Sequence, residues 1–392
     1  LKRQRNGGLS VPVNRLFFSA GEVSGDIHAA RLIKALKERL PQGEVVGLGG
    51  RFMALEGMEL IDGDVSLFST VGLTDSLRFY ERKKKSYERA TAYLNSHPVD
   101  GVVLVDNQGF NIPLARFCYE KGIPCVYYMP PHVSIWGRWN APKLMEWCKH
   151  LFVSFPEDAK VYREYGNHVD YYGHPLAEEI RLFLAQSGHP EQKTVMIGLF
   201  PGSRYQEIEN LLSEMLLAVK NMPQEWRVCL ALSHPDYEQM IREQVVNHGL
   251  TKRVEFSYDA RAVLFQSTVV VASSGTITLE AALFRKPVIL GYRISPLSYL
   301  IGHLLLKEKL IGMPNILLHQ KLFPELLQKD WNHRNILKWI EFFLSLSDEE
   351  KKRYDEAYDA LWRLLLVEGG HDKLASHILS VFGLWDESSP SM

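Results

Sequence analysis

Two short runs combine a residue able to move a proton or stabilise charge with a turn able to hold an anion. In "GVVLVDNQGFN" an apolar run ends in Asp106, followed by Asn107, Gln108, Gly109 and Asn111. A carboxylate at the carboxyl end of a strand can take a proton from an attacking hydroxyl. It can equally cap the next helix, and His28, His132 and His174 are rival bases. In "GLFPGSRYQEIENLL" an apolar run breaks at Pro201-Gly202, and Ile208, Leu211, Leu212, Met215, Leu216 and Val219 then recur at helical spacing. Such a strand-turn-helix aims free N–H groups and the positive end of a helix dipole at one spot, and Arg204 adds a full charge. Ser203 and Gln206 have the spacing of a capping box.

Two further turns have the same character. "VVVASSGTITLEAALF" sets Ser273, Ser274, Gly275 and Thr276 at the head of a helix with Glu280 one turn later, and "FFSAGEVSGDIHAA" sets Ser24, Gly25 and Asp26 at the head of another. Small residues let backbone approach a phosphate, hydroxyls donate, and a carboxylate can accept from ribose. Each turn taken singly is also an ordinary helix cap. The chain has no GxxxxGK[ST], and its first turn lacks the GxGxxG spacing, which argues against ATP hydrolysis and nicotinamide chemistry. A sugar nucleotide, whose diphosphate needs N–H donors and an arginine, fits better.

The elements that must position these turns are short apolar strands alternating with amphipathic helices, the pattern of parallel βαβ units. Strands are expected at Leu16–Phe18, Val45–Leu48, Gly101–Val105, Cys125–Tyr128, Leu151–Val153 and Val169–Tyr171. The pattern restarts with Val195–Leu199, Arg227–Leu232, Val254–Phe256, Thr268–Ala272 and Pro287–Leu290. Two doubly wound domains are expected, 15–175 and 176–330, with ligands in a cleft at the carboxyl ends of the strands. Residues 331–385 read as helices packing back across them, and residues 1–14 as a tail or linker, with a preceding domain left open.

At 392 residues, 46% hydrophobic and 23% charged, the chain suits two globular domains. Its formal net charge of -1 gives no global sign of nucleic-acid binding. Cys118, Cys125, Cys148 and Cys229 form no close pair in sequence, which argues against a zinc site and fits a reducing compartment. No apolar run approaches the roughly 20 residues of a membrane span, and Leu16 to Ala20 is too short for a signal-peptide core. One stretch, "STVGLTDSLRFYERKKKSYERA", sets Val71, Leu73, Leu77, Phe79 and Tyr80 beside Arg78, Arg82, Lys83, Lys84 and Lys85. Apolar residues flanked by a basic cluster can enter a bilayer interface; the alternative is a core-facing stripe with a solvated face.

The runs "SAGEVSGDIHAARLIKAL", "VDNQGFN", "YYGHPLAEEI", "LFPGSRYQEIENLL", "ASSGTITLEAALFRKPVILGYR" and "MPNILLHQKLFPELLQ" resemble, in order and spacing, those of lipid-A-disaccharide synthases. The resemblance implies an α/β GT-B fold: two facing Rossmann-like doubly wound parallel-sheet domains, acceptor on the first and nucleotide on the second. It implies inverting transfer of 2,3-diacylglucosamine from UDP-2,3-diacylglucosamine to 2,3-diacylglucosamine 1-phosphate (lipid X), giving a β-1,6 disaccharide and UDP. Asp106 becomes the base and Arg204 the stabiliser of departing UDP. Ser203, Tyr258, Ser274, Gly275, Thr276, Glu280, Asn315, Glu325 and Gln328 become the donor set. Glu22, Ser24, Gly25, Asp26 and Asn111 become the acceptor set. No metal or other cofactor is implied. The family works at a membrane surface, which favours a lipid-facing role for Val71 to Lys84 on the cytoplasmic face of the inner membrane; a homodimer is left open.

Two runs depart from the family's pattern: Gln108–Gly109, where proline is usual, and "SIWGRWN", where a Trp-Ala-Trp-Arg run is usual. Two rival readings stand beside the synthase: a UDP-N-acetylglucosamine 2-epimerase, and a catalytically silent paralogue that binds lipid or UDP.

Overall fold

A computed structural model describes residues 14–64, 76–188, 194–293 and 310–385, with the side chains of 76–79 excepted. The chain divides into two compact units, residues 1–175 with 367–392 and residues 176–366.

The first unit is built on seven strands: β1 (Arg15–Ala20), β2 (Glu44–Leu48), β3 (Glu59–Leu60), β4 (Gly101–Val105), β5 (Cys125–Tyr128), β6 (His150–Val153) and β7 (Val169–Tyr171). They lie in the order β3-β2-β1-β4-β5-β6-β7. Every pairing is parallel. Parallel strands need helical crossovers that cover both faces, so the central strands are apolar without alternation, and all five residues of β4 are buried. One face packs Phe17, Val102 and Leu104 against Ala90, Leu94, Leu114 and Cys118. The other packs Phe18, Val103 and Val105 against Leu32, Ile33 and Leu36 of the helix Val23–Arg39, and against Leu374, Ile378 and Leu379. Those last three belong to the helix Gly370–Val381, so the chain returns to the first sheet after completing the second unit.

The second unit repeats the plan with β8 (Met196–Phe200), β9 (Arg227–Ala231), β10 (Val254–Ser257), β11 (Val269–Ser273), β12 (Val288–Tyr292) and β13 (Glu325–Leu327), in the order β10-β9-β8-β11-β12-β13. Every strand expected from sequence is present. The short edge strands β3 and β13 were not expected, since each opens on a glutamate and holds at most two apolar residues in a row. Folding also brings the buried Cys125 and Cys148 sulfurs to 3.8 Å, a proximity that their sequence spacing hides.

The terminal helices divide between the units. The helices His333–Leu344 and Asp348–Leu365 stay with the second, where Trp331 is fully buried and its indole N–H donates to Leu211 O at 3.2 Å. The Asp348 helix opens on a reciprocal capping box between Ser347 and Glu350.

His174 ends the first unit buried, its ring 4.9 Å from that of Phe155. Burial holds its imidazole well below its ordinary pKa of 6.5, and nearby His28 and His132 push the same way. The unfolded chain therefore binds a proton below about pH 6.5 that the folded chain refuses, so stability is full above that pH and falls as pH drops through it. The unfolding midpoint of the protein is expected to fall between about pH 7 and about pH 5, and His174→Gln to flatten that slope. An unchanged slope in the variant contradicts the assignment.

Candidate active site

In both sheets the strand order reverses between the first and fourth strands, which is where parallel α/β sheets leave a crevice at their carboxyl ends. In the first unit that point lies between β1 and β4, where Ala20 pairs with Val105. The next residue, Asp106, has φ 48° and Asn107 has φ 44°, two consecutive left-handed residues that are not glycine. Such backbone costs about 1–3 kcal/mol per residue and persists only where its surroundings fix it.

The fixing groups are explicit. Asp106 N–H donates to Tyr128 O at 3.0 Å, and Tyr127 Oη donates to Asp106 O at 2.7 Å. The Asn111 amide is fully buried and donates to the carbonyls of Asp106 (2.9 Å), Val105 (3.0 Å) and Ser19 (3.1 Å), while its oxygen accepts from Ser19 Oγ at 2.7 Å. Asn111, expected to touch the acceptor, instead builds the turn that carries Asp106. Gly21 completes it: a Cβ there would lie 2.0 Å from Asn107 Nδ2. The Gly25 Cβ position lies 3.8 Å from Asp106 Cβ, so Asp106 stands beside the first turn of the Val23 helix.

The other acceptor residues separate by role. Ser24 is exposed on the first helical turn, and half-buried Glu22 is its N-cap. Asp26 is a correction to the acceptor set: it is fully buried, and its oxygens accept from Gly50 N (2.9 Å), Phe52 N (3.1 Å) and Met53 N (3.0 Å), capping the helix Arg51–Leu55. Lys83, read as a lipid contact, brings Nζ to 3.0 Å from the Cβ position of Gly109, over the turn that follows Asp106. Burial lowers its pKa, opposed by the charge of Glu22. Among the rival bases, His132 is held through Nδ1 by buried Asp158 at 2.9 Å, and Asp158 also accepts from Ser134 N and Oγ.

In the second unit the same point lies between β8 and β11. The chain leaves β8 through Gly202, whose φ of 127° only glycine tolerates freely, into the helix Tyr205–Lys220. The expected Ser203–Gln206 capping box is absent. Arg204 is the N-cap residue, and the Glu207 carboxylate accepts from Ser203 N–H at 3.0 Å and from Arg204 Nη1 at 2.9 Å. Glu207 reaches these donors because it lies one turn into the helix and points back at its start. The cradle for an anion thus already holds one, an internal carboxylate. Arg204 remains 72% exposed.

This turn opens on a cavity of about 970 Å³ whose lining includes Arg204, Asn210, Ser274, Arg293, Gln328 and Lys329. Three cations, Arg204, Arg293 and Lys329, face two carboxylates, Glu207 and Glu209. Arg293 donates to the carbonyls of Trp331 (2.9 Å), Asn210 (3.4 Å) and Gln328 (3.4 Å), so its charge is fixed without an acid. Arg293, Asn210 and Glu207 were missed from sequence, although Arg293 lies inside the "ILGYR" run. From β11 the chain turns at Gly275, φ 154°, with nothing within 4 Å of its Cβ position, and Thr276 opens the helix Thr276–Leu283. Glu280 lies on its second turn beside Arg261 at 3.7 Å, and Arg261 also pairs with Glu179. Burial pushes the Glu280 carboxyl up, and Arg261 opposes it.

The remaining donor residues part company. Asn315 and Glu325 are buried and joined to each other at 2.9 Å. Asn315 also holds Leu322, Phe323 and the Phe323 carbonyl, while Glu325 accepts from Ile311 and Gly312 N–H. They shape the loop, a correction to their place as sugar contacts. Gln328, at φ 50°, lines the cavity. Tyr258 is 52% exposed at the end of edge strand β10, bonded to Glu238, and does not line it.

Of the lipid-contact residues, Val71 and Leu73 and the side chains of Leu77 and Phe79 lie outside the described residues. Tyr80 is 68% exposed, Arg82 is exposed, and Lys84 pairs with Glu88 at 3.9 Å on the helix Ser76–Ser96. Among the described residues no helix is long and apolar enough to cross a membrane.

Comparison with known proteins bears on the fold and the family. Among solved structures, that of Staphylococcus aureus MnaA with UDP aligns at TM-score 0.66 and 15% identity, covering 96% of this chain and 99% of that one. The calicheamicin glycosyltransferase CalG4 aligns at 0.59 and 13%, covering 94% and 98%. At such identities these likenesses show the fold, GT-B. The lipid-A-disaccharide synthase of Persephonella marina is 31% identical over 389 residues, 95% of this chain and 100% of its relative. That of Acidobacterium capsulatum is 32% identical over 345 residues, 83% and 86%. With the family profile for lipid-A-disaccharide synthetase matching residues 16–378, this chain belongs to that family.

Proposed function

We propose that the protein is an inverting glycosyltransferase that moves 2,3-diacylglucosamine from UDP-2,3-diacylglucosamine to the 6-hydroxyl of 2,3-diacylglucosamine 1-phosphate. The products are the β-1,6-linked lipid A disaccharide 1-phosphate and UDP. The observation that carries the reading onto this chain's own residues is the Asp106–Asn107 turn. A strained backbone pair, anchored by Asn111 and Tyr127, presents a carboxylate to which no described side chain donates.

In this reading Asp106 accepts the acceptor's hydroxyl proton as its oxygen forms a bond to the donor's anomeric carbon. The bond from that carbon to the diphosphate breaks on the opposite face, and the electron pair leaves with UDP. The leaving diphosphate gains charge as it departs. In this reading Arg204, Arg293 and the Ser274 turn, which line one cavity, receive that charge, helped by the N–H groups at the start of the Thr276 helix. For the diphosphate to bind the Gly202–Arg204 turn it must displace the Glu207 carboxylate, which then keeps Arg204 poised at the helix start when the turn is empty. The epimerase reading is not favoured, since the sequence relatives are synthases and the epimerases share only the fold. A silent paralogue has no need of the strained turn at Asp106. The exposed basic helix on the acceptor unit and the lipid character of both substrates support work at the cytoplasmic face of the inner membrane as a peripheral protein.

Incubation of the protein with UDP-2,3-diacylglucosamine and radiolabelled lipid X is expected to yield labelled disaccharide and UDP; no disaccharide would refute the transferase reading. Arg204→Ala is expected to lower kcat by about 10²–10³-fold and to weaken UDP binding by less than about tenfold. The opposite split would return Arg204 to a plain binding role. Asn111→Ala leaves buried carbonyls without donors and is expected to lower unfolding free energy by about 1–3 kcal/mol. It should also reduce kcat with UDP affinity unchanged, because the amide acts only on the acceptor unit.

A further inference from the structure

We propose that His150, Asp170 and His377 form a site for a divalent transition metal of the zinc class, fastening the C-terminal helix to the first sheet. His150 opens β6, Asp170 lies at the centre of β7, and His377 lies on the helix Gly370–Val381. His150 Nε2 is 2.9 Å from Asp170 Oδ2, and His377 Nδ1 is 3.7 Å from the same oxygen. One ligand atom from each residue lies within 4.8 Å of the other two. Zinc takes imidazole nitrogen and carboxylate oxygen at about 2.0–2.2 Å in tetrahedral geometry, which sets ligand atoms roughly 3.3 Å apart. The three atoms already straddle that spacing.

The surroundings suit an ion. The His150 and His377 rings are tilted at 57° with centroids 4.4 Å apart, so their nitrogens converge on the carboxylate. Side-chain exposure is 10% for His150, 39% for Asp170 and 27% for His377, a cluster rooted in the sheet and open to solution on one side. Tyr172 Oη lies 2.8 Å from His377 Nδ1, on the lone pair that a bound ion would take over, so binding moves this hydroxyl aside and leaves the fourth position to water. His168, whose ring centroid is 6.5 Å from that of His150, is held by Met145 O at 2.6 Å and stays outside the set. Two imidazoles and one carboxylate match zinc and its neighbours rather than calcium or magnesium.

The position gives the ion a task. Between Asp170 and His377 the chain makes the whole of the second unit, residues 176–366, before the last helix returns to the first. That helix packs Leu374, Ile378 and Leu379 in the same cluster as Leu32 and Leu36 of the Val23 helix, whose first turn stands beside Asp106. A cross-link closing so long a loop restricts the undocked state more than a short-range link would.

The test uses the full chain freed of metal with a chelator and titrated with Zn²⁺ by calorimetry, and with Co²⁺ followed by its d–d absorption. One ion bound per chain, a tetrahedral Co²⁺ spectrum and a higher unfolding midpoint with Zn²⁺ are expected. Asp170→Asn and His377→Ala, both at partly exposed positions, should each weaken Zn²⁺ binding by at least about tenfold. They should abolish the Co²⁺ spectrum while leaving the metal-free circular dichroism unchanged. Absence of binding to the wild type, or binding untouched in the Asp170→Asn/His377→Ala double variant, would overturn the proposal.

Discussion

A single buried amide, Asn111, ties the ends of β1 and β4 together and decides where the first unit holds the Asp106 carboxylate. Its two N–H donors serve three carbonyls, those of Ser19, Val105 and Asp106, and its oxygen takes the Ser19 hydroxyl. A parallel sheet must find partners for backbone groups where neighbouring strands diverge, and here one side chain supplies them. The same bonds fix Asp106 and Asn107 in left-handed conformations, which aspartate and asparagine adopt more readily than other residues with a side chain. The packing follows from this constraint: a Cβ on Gly21 would collide with the Asn107 side chain, whereas at Gly25 the Val23 helix passes Asp106 at ordinary contact distance.

The second unit meets the corresponding demand by a different route. At its strand reversal the free N–H of Ser203 and the Arg204 charge converge on Glu207, a carboxylate from the same helix. An empty anion site of this kind would otherwise leave a cation mobile and a helix start unsatisfied. The internal acid answers both demands. Arg293, fixed by three carbonyls, supplies the cavity with a charge that pairs with no acid among the described residues.

Sequence conveyed the architecture because buried parallel strands are unbroken apolar runs, and β4, β8 and β11 are buried at every position. The turns after those strands were legible for the same reason, being where the apolar run stops at Asp106, Pro201 or Ser274. What a polar side chain does at such a turn was not legible. Asp26, Asn111, Asn315 and Glu325 look like ligand contacts in a string of letters, yet each is buried and bonded to backbone. Glu207 and Arg293 were overlooked because an acid on a helix and an arginine after a strand are common. The His150–Asp170–His377 cluster joins residues up to 227 positions apart, beyond any spacing rule. The capping box read at Ser203–Gln206 fails because the backbone enters the helix one residue later, at Arg204, while the reciprocal box that does form, Ser347–Glu350, was not read from sequence.

The central claim is that Asp106, on the turn fixed by Asn111, removes the proton from the acceptor hydroxyl. Asparagine has nearly the same shape, tolerates the left-handed backbone and cannot take the proton, so Asp106→Asn isolates the chemistry from the fold. The decisive measurement is the single-turnover rate of disaccharide formation in that variant at saturating donor and acceptor. The account predicts a rate at least about 10²-fold below wild type, with unfolding midpoint and UDP affinity unchanged. A rate within a few-fold of wild type would contradict it.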